Sequence, residues 1–147
     1  MIGALTGTVR GVGPDGLLLD VHGVGYRLGV LPSLLADAKL GAQCSVVTHL
    51  HVRENDLALY GFAAKDELAL FRMLIEVPGV GPKSAMSILA LVPVEVRVRA
   101  ISGGDASLLT KVSGVGRKTA ERIVVELKTR LEREHPVLVG RGATPHA

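Results

Sequence analysis

The sequence of 147 residues lacks tryptophan, contains one cysteine and has no long uninterrupted apolar run. The single cysteine, Cys44, excludes a disulfide within the chain and fits a reducing compartment. No apolar stretch approaches the roughly 20 residues of a membrane-spanning helix. Residues 1–4 lack the charged start and apolar run of a signal peptide. We therefore expect a cytoplasmic protein without a membrane span.

Aromatic side chains are also scarce, since the chain has only two tyrosines and two phenylalanines. Proteins that bind single-stranded nucleic acid stack the bases on aromatic rings. Tyr60 and Phe62 alternate in a predicted strand and Phe71 lies on an apolar helical face, so we expect core roles for them. Together with Tyr26 they are the whole aromatic set. The composition argues against a general single-strand-binding module, which stays as one alternative function.

Motifs for catalysis and cofactor binding are missing. The sequence has no G-x-x-x-x-G-K-[ST] phosphate loop, so any use of ATP must come from a partner. His49 and His51 point to the same side of a predicted strand, but two ligands without a nearby cysteine or third histidine make a poor metal site. Cys44 opens the same strand with no base nearby, and we interpret it as a small core residue. We expect no cofactor, no metal and no catalytic residue.

The formal net charge of +3 conceals an uneven distribution. The first 63 residues hold four Lys or Arg against five Asp or Glu, whereas the rest of the chain holds thirteen against nine. Residues 111–133 include seven basic and three acidic residues, and this excess is typical of a surface that binds a polyanion. Ion pairs along a solvated helix face are the alternative for Lys128, Arg130 and Arg133.

The first 63 residues predict five short strands. Alternating or β-prone runs are separated by turns rich in Gly, Pro and Asp, and one brief helix over 32–39 precedes the fourth strand. This order suits a small closed barrel such as the OB-fold. We therefore predict an all-β domain over 1–63. Its strands are expected at 5–12, 17–21, 26–31, 44–52 and 57–62.

After residue 63 the apolar period changes to that of helices. We predict an all-α domain over 64–135, and a flexible linker or tail over 136–147 because the apolar period stops there. The apolar face of the first helix is expected at Leu68, Phe71, Leu74 and Ile75. Helices are expected at 66–76, 83–91, 93–101, from a cap at Asp105 through Lys111, and at 116–133.

The clearest pattern in the chain is a phrase that occurs twice. V-P-G-V-G-P-K-S-A spans Val77–Ala85, and V-S-G-V-G-R-K-T-A spans Val112–Ala120. Each copy lies between two apolar helical stretches and predicts a helix, a tight glycine turn and a second helix. Glycine permits left-handed backbone angles and close approach of a ligand, and the unpaired amides of a helix start attract anions. The two matching copies favour phosphate binding over the alternative, in which glycine only lets helices pack closely.

Six separated motifs, in order along the chain, are shared with a known family. They are M-I-G-x-L-x-G at the start, G-V-G-Y at 23–26, V-R-E at 52–54, L-Y-G-F at 59–62, G-V-G-P-K at 79–83 and K-T-A-E-R at 118–122. On these motifs nearly the whole chain resembles bacterial RuvA, the family of Holliday-junction-recognition subunits of the branch-migration complex.

The resemblance implies an OB-like barrel that builds a four-fold tetramer, followed by two helix-hairpin-helix motifs that hold duplex arms through their backbones. Phosphate contacts of this kind position a protein without reading base sequence. The implied partners are four-way junction DNA, three further copies of the chain with one or two tetramers per junction, the RuvB motor and the RuvC resolvase. The DNA-binding residues that the resemblance implies are Gly79, Val80, Gly81, Lys83, Ser84, Gly114, Val115, Gly116, Lys118, Thr119 and Arg122. Arg117 is added to this set only because it lies beside them.

The resemblance also implies an acidic pin at the tip between the last two barrel strands. Glu54, repeated four times around a symmetry axis, would repel phosphates where the strands of the junction cross. The family has a second acid after this position, but here the residue is Asn55 and Asp56 follows one place later. Either Asp56 takes over the role or the pin is weaker by one charge per subunit. The alternative is a charged hairpin tip that only promotes solubility.

A further departure concerns the end of the sequence. The family carries a third, small helical domain beyond a flexible linker, and that domain contacts the RuvB motor. This chain stops in residues that resemble the linker. We therefore expect a shortened form that binds junctions but does not engage or stimulate the motor.

A DNA repair enzyme with helix-hairpin-helix motifs, such as a base-excision glycosylase, is the alternative from a different class. Such enzymes need a catalytic carboxylate after the hairpin and a pocket for a flipped base. Asp105 is the only Asp candidate after the first hairpin, and it lies at a predicted helix cap. After the second hairpin only the glutamates of a charged helix remain. We therefore expect a DNA-binding protein without catalytic activity.

Overall fold

The computed structural model describes residues 1–91 and 106–134, with side chains described through Arg130. The chain divides into two compact units, the first covering Met1–Leu68 and the second beginning at Ala69. The helix expected at 93–101, the cap at Asp105 and the tail over 136–147 lie outside the described residues. The domain bounds given above remain predictions.

The first unit is a closed barrel of five strands. The strand order is β1-β2-β3-β5-β4, and β1 pairs with β4 to close the barrel. Neighbouring strands are antiparallel except for a short parallel pairing of β3 with β5. The predicted five-stranded barrel with a brief helix before the fourth strand is confirmed. The elements are β1 (Ala4–Gly13), β2 (Gly16–Val21), β3 (Val24–Val30), α1 (Pro32–Asp37), β4 (Gln43–Arg53) and β5 (Asp56–Phe62).

The barrel core follows from the two-residue period of its strands. Alternate side chains point to one face of a strand, and the apolar ones meet in a cluster of Val9, Leu17, Leu19, Leu28 and Val46. Cys44 is half-buried and packs against this cluster. Burial raises the pKa of its thiol, which keeps the sulfur protonated and unreactive at neutral pH.

The second unit is helical where it is described. It contains most of α2 (Lys65–Glu76), then α3 (Pro82–Leu91), a 3₁₀ turn (Leu109–Lys111) and α4 (Arg117–Glu134). The short helix expected to end at Lys111 is therefore a single 3₁₀ turn over the described residues. The helices predicted at 66–76, 83–91 and 116–133 are confirmed within one residue at each end.

The buried face of α2 differs from the predicted one. Leu68 and Ile75 are only half-buried, whereas Phe71 and Leu74 are buried as expected. The buried stripe follows the i, i+3, i+4, i+7 spacing of a helix that packs on a core, but it starts two residues later than expected. Its members are Leu70, Met73, Leu74 and Val77, with Phe71 beside them. The sequence pattern did not distinguish these two overlapping stripes because both are apolar.

Candidate nucleic-acid interface

Each copy of the repeated phrase folds into a β-turn, which we call the first glycine turn (Val77–Val80) and the second glycine turn (Val112–Val115). The N–H of the last residue donates to the carbonyl oxygen of the first residue at 3.0 Å in the first turn and 3.1 Å in the second. The third residue is Gly79 or Gly114, with φ of 90° and 87°. A type II turn requires this left-handed region at that position, and glycine adopts it without strain. The two turns therefore share one backbone conformation.

A helix begins directly after each glycine turn. The N–H of Ala85 donates to the carbonyl of Gly81 at 3.0 Å, and the N–H of Ala120 donates to that of Gly116 at 2.9 Å. These are the first bonds of α3 and α4, so the amides between the paired residues lie outside the helical bonding pattern. A Cβ placed on Gly116 would meet no atom within 4 Å. The start of α4 is thus open to a ligand of the main chain.

The side chains around the two turns separate into exposed cations and buried anchors. Lys83, Lys118 and Arg122 are exposed. Val80 and Val115 are each only 5% exposed, so any part that they take in binding runs through the main chain. A buried valine therefore anchors each glycine turn, and the basic side chains beside the turns face solvent.

Ser84 and Thr119, two of the implied DNA-binding residues, are half-buried. A Cβ placed on Gly79 would lie 3.7 Å from Thr119 Oγ1, and one placed on Gly114 would lie 3.6 Å from Ser84 Oγ. Each hydroxyl therefore lies beside the glycine of the other turn. Sequence reasoning missed this exchange, because no local pattern relates one turn to the other.

Two arginines of α4 form ion pairs. Arg117 Nε lies 3.3 Å from Glu121 Oε1, with both side chains largely exposed, so water and salt screen this pair. Arg130 pairs with Glu76, the last residue of α2. The alternative given for Arg130 was an ion pair along its own helix, whereas this partner is on another helix. No local pattern indicates this contact, because Glu76 and Arg130 are far apart in the sequence.

The acidic tip between β4 and β5 is a two-residue turn of Glu54 and Asn55. The register places Arg53 opposite Asp56, and both acids of the predicted pin are exposed. Arg53 Nε donates to His51 Nε2 at 3.2 Å. Glu54 thus lies at the very tip, whereas Asp56 begins the returning strand across from Arg53.

Other groups considered in the sequence have ordinary surroundings. The imidazole centroids of His49 and His51 are 5.9 Å apart. Over residues 1–91 and 106–130, no three His, Cys, Asp or Glu side chains come together in a way that could hold a metal ion. Phe62 and Phe71 are buried, and burial raises the pKa of the half-buried Tyr60. Within the described part of the chain, no helix has the length and apolar character needed to cross a bilayer.

A closed five-stranded barrel followed by two paired glycine turns, each opening a helix, defines an OB-like protein with tandem helix-hairpin-helix motifs. Comparison with known families agrees with this class. Residues 1–61 match the family described as RuvA N terminal domain. Residues 71–129 match the family described as SAM-like Helix-hairpin-helix tandem.

Three relatives carry the name Holliday junction branch migration complex subunit RuvA. The one from Caldanaerobacter subterraneus is 41% identical over 135 residues, which are 91% of this chain and 72% of the relative. The one from Pseudomonas entomophila is 49% identical over 133 residues, with coverage of 90% and 65%. The one from Salinispora tropica is 44% identical over 140 residues, with coverage of 95% and 68%. The chain belongs to the RuvA family, and it spans about two thirds of the length of these relatives.

Proposed function

We propose that this chain binds four-way DNA junctions according to their shape, as the non-catalytic DNA-binding subunit of a branch-migration complex. The observation that carries the proposal is the pair of glycine turns with one backbone conformation, each followed by an exposed cation. The names of the relatives supply the class of substrate, a Holliday junction. The complex would act in the cytoplasm.

The turns suit phosphate because they offer several weak attractions at one place. Unpaired amides at a helix start carry partial positive charge, and lysine or arginine beside them adds a full charge. These donors contact the backbone of DNA, so binding does not depend on base sequence. In the proposed complex the contacts come from the residues implied by the family resemblance around the two turns, with Lys83, Lys118 and Arg122 as the charged groups.

The acidic tip fits a second part of the function if four copies surround the crossing point of the junction. Glu54 from each copy would then face phosphates near the axis. Two like charges about 4 Å apart repel by about 1 kcal/mol in water, and by more at lower dielectric. This repulsion is enough to direct strands along the arms without cutting them. Energy for branch migration would come from the RuvB motor, and a resolvase of the RuvC kind would cut the product.

A competition experiment tests the proposal. The probe is a labelled four-way junction, and the competitors are the unlabelled junction, a linear duplex of the same sequence and the single strands. We expect the junction to compete at least about tenfold better than the duplex, a difference of about 1.4 kcal/mol. Equal competition by duplex contradicts the proposal. Better competition by single strands supports a single-strand-binding module, and formation of abasic sites on damaged duplex supports a repair enzyme.

A substitution at the acidic tip tests whether its charge contributes to the preference for junctions. Glu54→Gln should narrow the preference for junction over duplex, because it removes a charge at the tip and leaves the glycine turns intact. Asp56→Asn is the matched control, and its effect should be smaller because Asp56 lies on the returning strand and not at the tip. The ratio of the two dissociation constants, junction against duplex, is the quantity to measure. An unchanged ratio in Glu54→Gln would indicate a tip that serves solubility alone.

A further inference from the structure

An ion pair joins the two helix-hairpin-helix motifs. Arg130 on α4 pairs with Glu76, the last residue of α2. Glu76 directly precedes the first glycine turn, and Arg130 belongs to the helix that begins after the second glycine turn. Both residues are part of the second compact unit. The pair therefore connects the helix that leads into one turn with the helix that leaves the other.

Glu76 has an unfavourable position for a carboxylate. The C-terminus of a helix carries partial negative charge, so an acid in the last turn is disfavoured and a cation is favoured. α2 has no basic residue in its last turn. Arg130 supplies, from another helix, the positive charge that the end of α2 lacks.

The same position is unfavourable for holding a phosphate nearby. Glu76 is bonded to Val77, the first residue of the first glycine turn, and its side chain is 56% exposed. A β-turn keeps its first and last Cα atoms within about 7 Å, and the Debye length at physiological salt is about 8 Å. A carboxylate without its cation at this place would therefore repel a phosphate at the turn.

Arg130 lies far from the second glycine turn. An α-helix rises about 1.5 Å per residue, so Arg130 is roughly 18 Å along α4 from Lys118. The Arg130 side chain is 29% exposed, whereas that of Arg117 at the start of the helix is 88% exposed. These two properties favour a role through Glu76 over a direct contact at the second turn.

We propose that Arg130 is a positioning residue that acts on DNA binding through Glu76. It neutralises the carboxylate beside the first glycine turn, so that this turn can receive a phosphate. The inference rests on the proposed function, since the charge of Glu76 matters only if a phosphate comes to this turn. It has a consequence that a direct contact lacks, because loss of Arg130 is harmful only while Glu76 keeps its charge.

Three variants test this dependence by fluorescence anisotropy of a labelled four-way junction. Arg130→Gln leaves Glu76 charged and without this cation, and it should weaken junction binding by at least about threefold. Glu76→Gln removes the repelling charge, so it should bind the junction at least as tightly as wild type. The double variant should bind within about twofold of Glu76→Gln, because Arg130 acts through Glu76.

Three other results would overturn the proposal. If Arg130 contacts a phosphate, Arg130→Gln weakens binding equally with and without Glu76→Gln. In the Glu76→Gln background it then also makes the dependence of log affinity on log salt concentration shallower by about 0.9. If the pair only stabilises the fold, Glu76→Gln weakens binding as much as Arg130→Gln does. If Arg130→Gln binds like wild type, the pair has no part in binding.

The matched control is Lys128, an exposed cation two residues earlier on α4. Lys128→Gln removes the same charge and keeps the pair of Arg130 with Glu76, so its effect should be the same with and without Glu76→Gln. If Glu76→Gln rescued Lys128→Gln as fully as it rescued Arg130→Gln, net charge would be the cause, and the proposal would be overturned.

The remaining measurements keep each failure distinct. Urea denaturation shows whether the variants are folded, and if Arg130→Gln is not, the affinity of Glu76→Gln against wild type decides between repulsion and a purely structural pair. If wild type shows no preference for junction over linear duplex, the proposed function fails. If wild type prefers junctions but Glu76→Gln does not rescue Arg130→Gln, only the role of Arg130 fails.

Discussion

The two glycine turns have the same backbone but different surroundings. The first contains Pro78 and is followed by Pro82, whereas the second has Ser113 and Arg117 at the matching places. Proline fixes φ and lowers the entropy of the unfolded chain. The first turn is therefore preset in conformation.

The second turn has the electrostatic advantage. α3 carries one charged side chain, Lys83, whereas the first two turns of α4 carry the three cations Arg117, Lys118 and Arg122 and one acid, Glu121. The second turn also offers one more amide, because Pro82 has no N–H to donate and Arg117 has one. The first glycine turn is thus favoured by conformational restriction, and the second by the positive charge beside it. The contribution of each turn to DNA binding should therefore depend differently on salt concentration.

Salt dependence gives the largest expected effect. The logarithm of affinity falls linearly with the logarithm of salt concentration, and each phosphate contact makes this slope steeper by about 0.9. If each cation contacts one phosphate, the double variant Lys118→Ala with Arg122→Ala should make the slope shallower by about 1.8, and Lys83→Ala should make it shallower by about 0.9. Fluorescence anisotropy of a labelled junction at four salt concentrations measures both slopes.

A matched control lies farther along the same helix. Lys128 is exposed on α4, and Lys128→Ala should leave the slope unchanged if this lysine belongs to a solvated face. Losses of affinity that depend on the base sequence of the junction would contradict binding through phosphate contacts. If Lys83→Ala reduced the steepness of the salt slope more than the double variant did, the first glycine turn would be the one that depends more on charge.

A pair of substitutions at Arg117 isolates the extra amide. Arg117→Ala removes the charge and the exposed ion pair with Glu121, but keeps the N–H. Arg117→Pro removes the N–H as well, and the first copy shows that Gly-Pro is accommodated at this place, as Gly81-Pro82. We expect Arg117→Pro to bind the junction about tenfold more weakly than Arg117→Ala, since a hydrogen bond to a charged group contributes about 1.5 kcal/mol or more. Equal affinities would mean that this amide does not contact the DNA.

Much of this comparison is predictable from sequence, because the deciding signals are local. The β-prone runs bounded by Gly, Pro and Asp turns, and the helical period after residue 63, predict the elements within one or two residues at most ends. The repeated glycines identify the turns since few other residues adopt their backbone angles. The electrostatic difference between the copies follows directly from the side chains at Pro82 and Arg117.

The contacts between distant residues were not predictable. The Arg130–Glu76 ion pair, the hydroxyls beside the opposite glycines and the parallel pairing of β3 with β5 join residues whose sequence spacing carries no period. Arg130 shows the limit well, because nothing in the sequence indicates Glu76 as its partner. Only the fold brings the acid at the end of one helix to the cation of another.

The smallest expected effect concerns the missing proline of the second turn. Ser113→Pro should raise the free energy of unfolding by about 0.4–1 kcal/mol, because the ring restricts the unfolded chain and the turn already has the conformation that proline adopts in the first copy. Val112 has φ −80° and ψ 129°, the extended conformation that a residue before proline requires. Urea denaturation measures the gain, with Ser113→Ala as the control for loss of the hydroxyl. The slope against salt should stay the same, because no phosphate donor is removed from the helix start. A destabilised Ser113→Pro would show that the two turns differ in backbone as well as in side chains, and the contrast between a preset turn and a charged one would then need another cause.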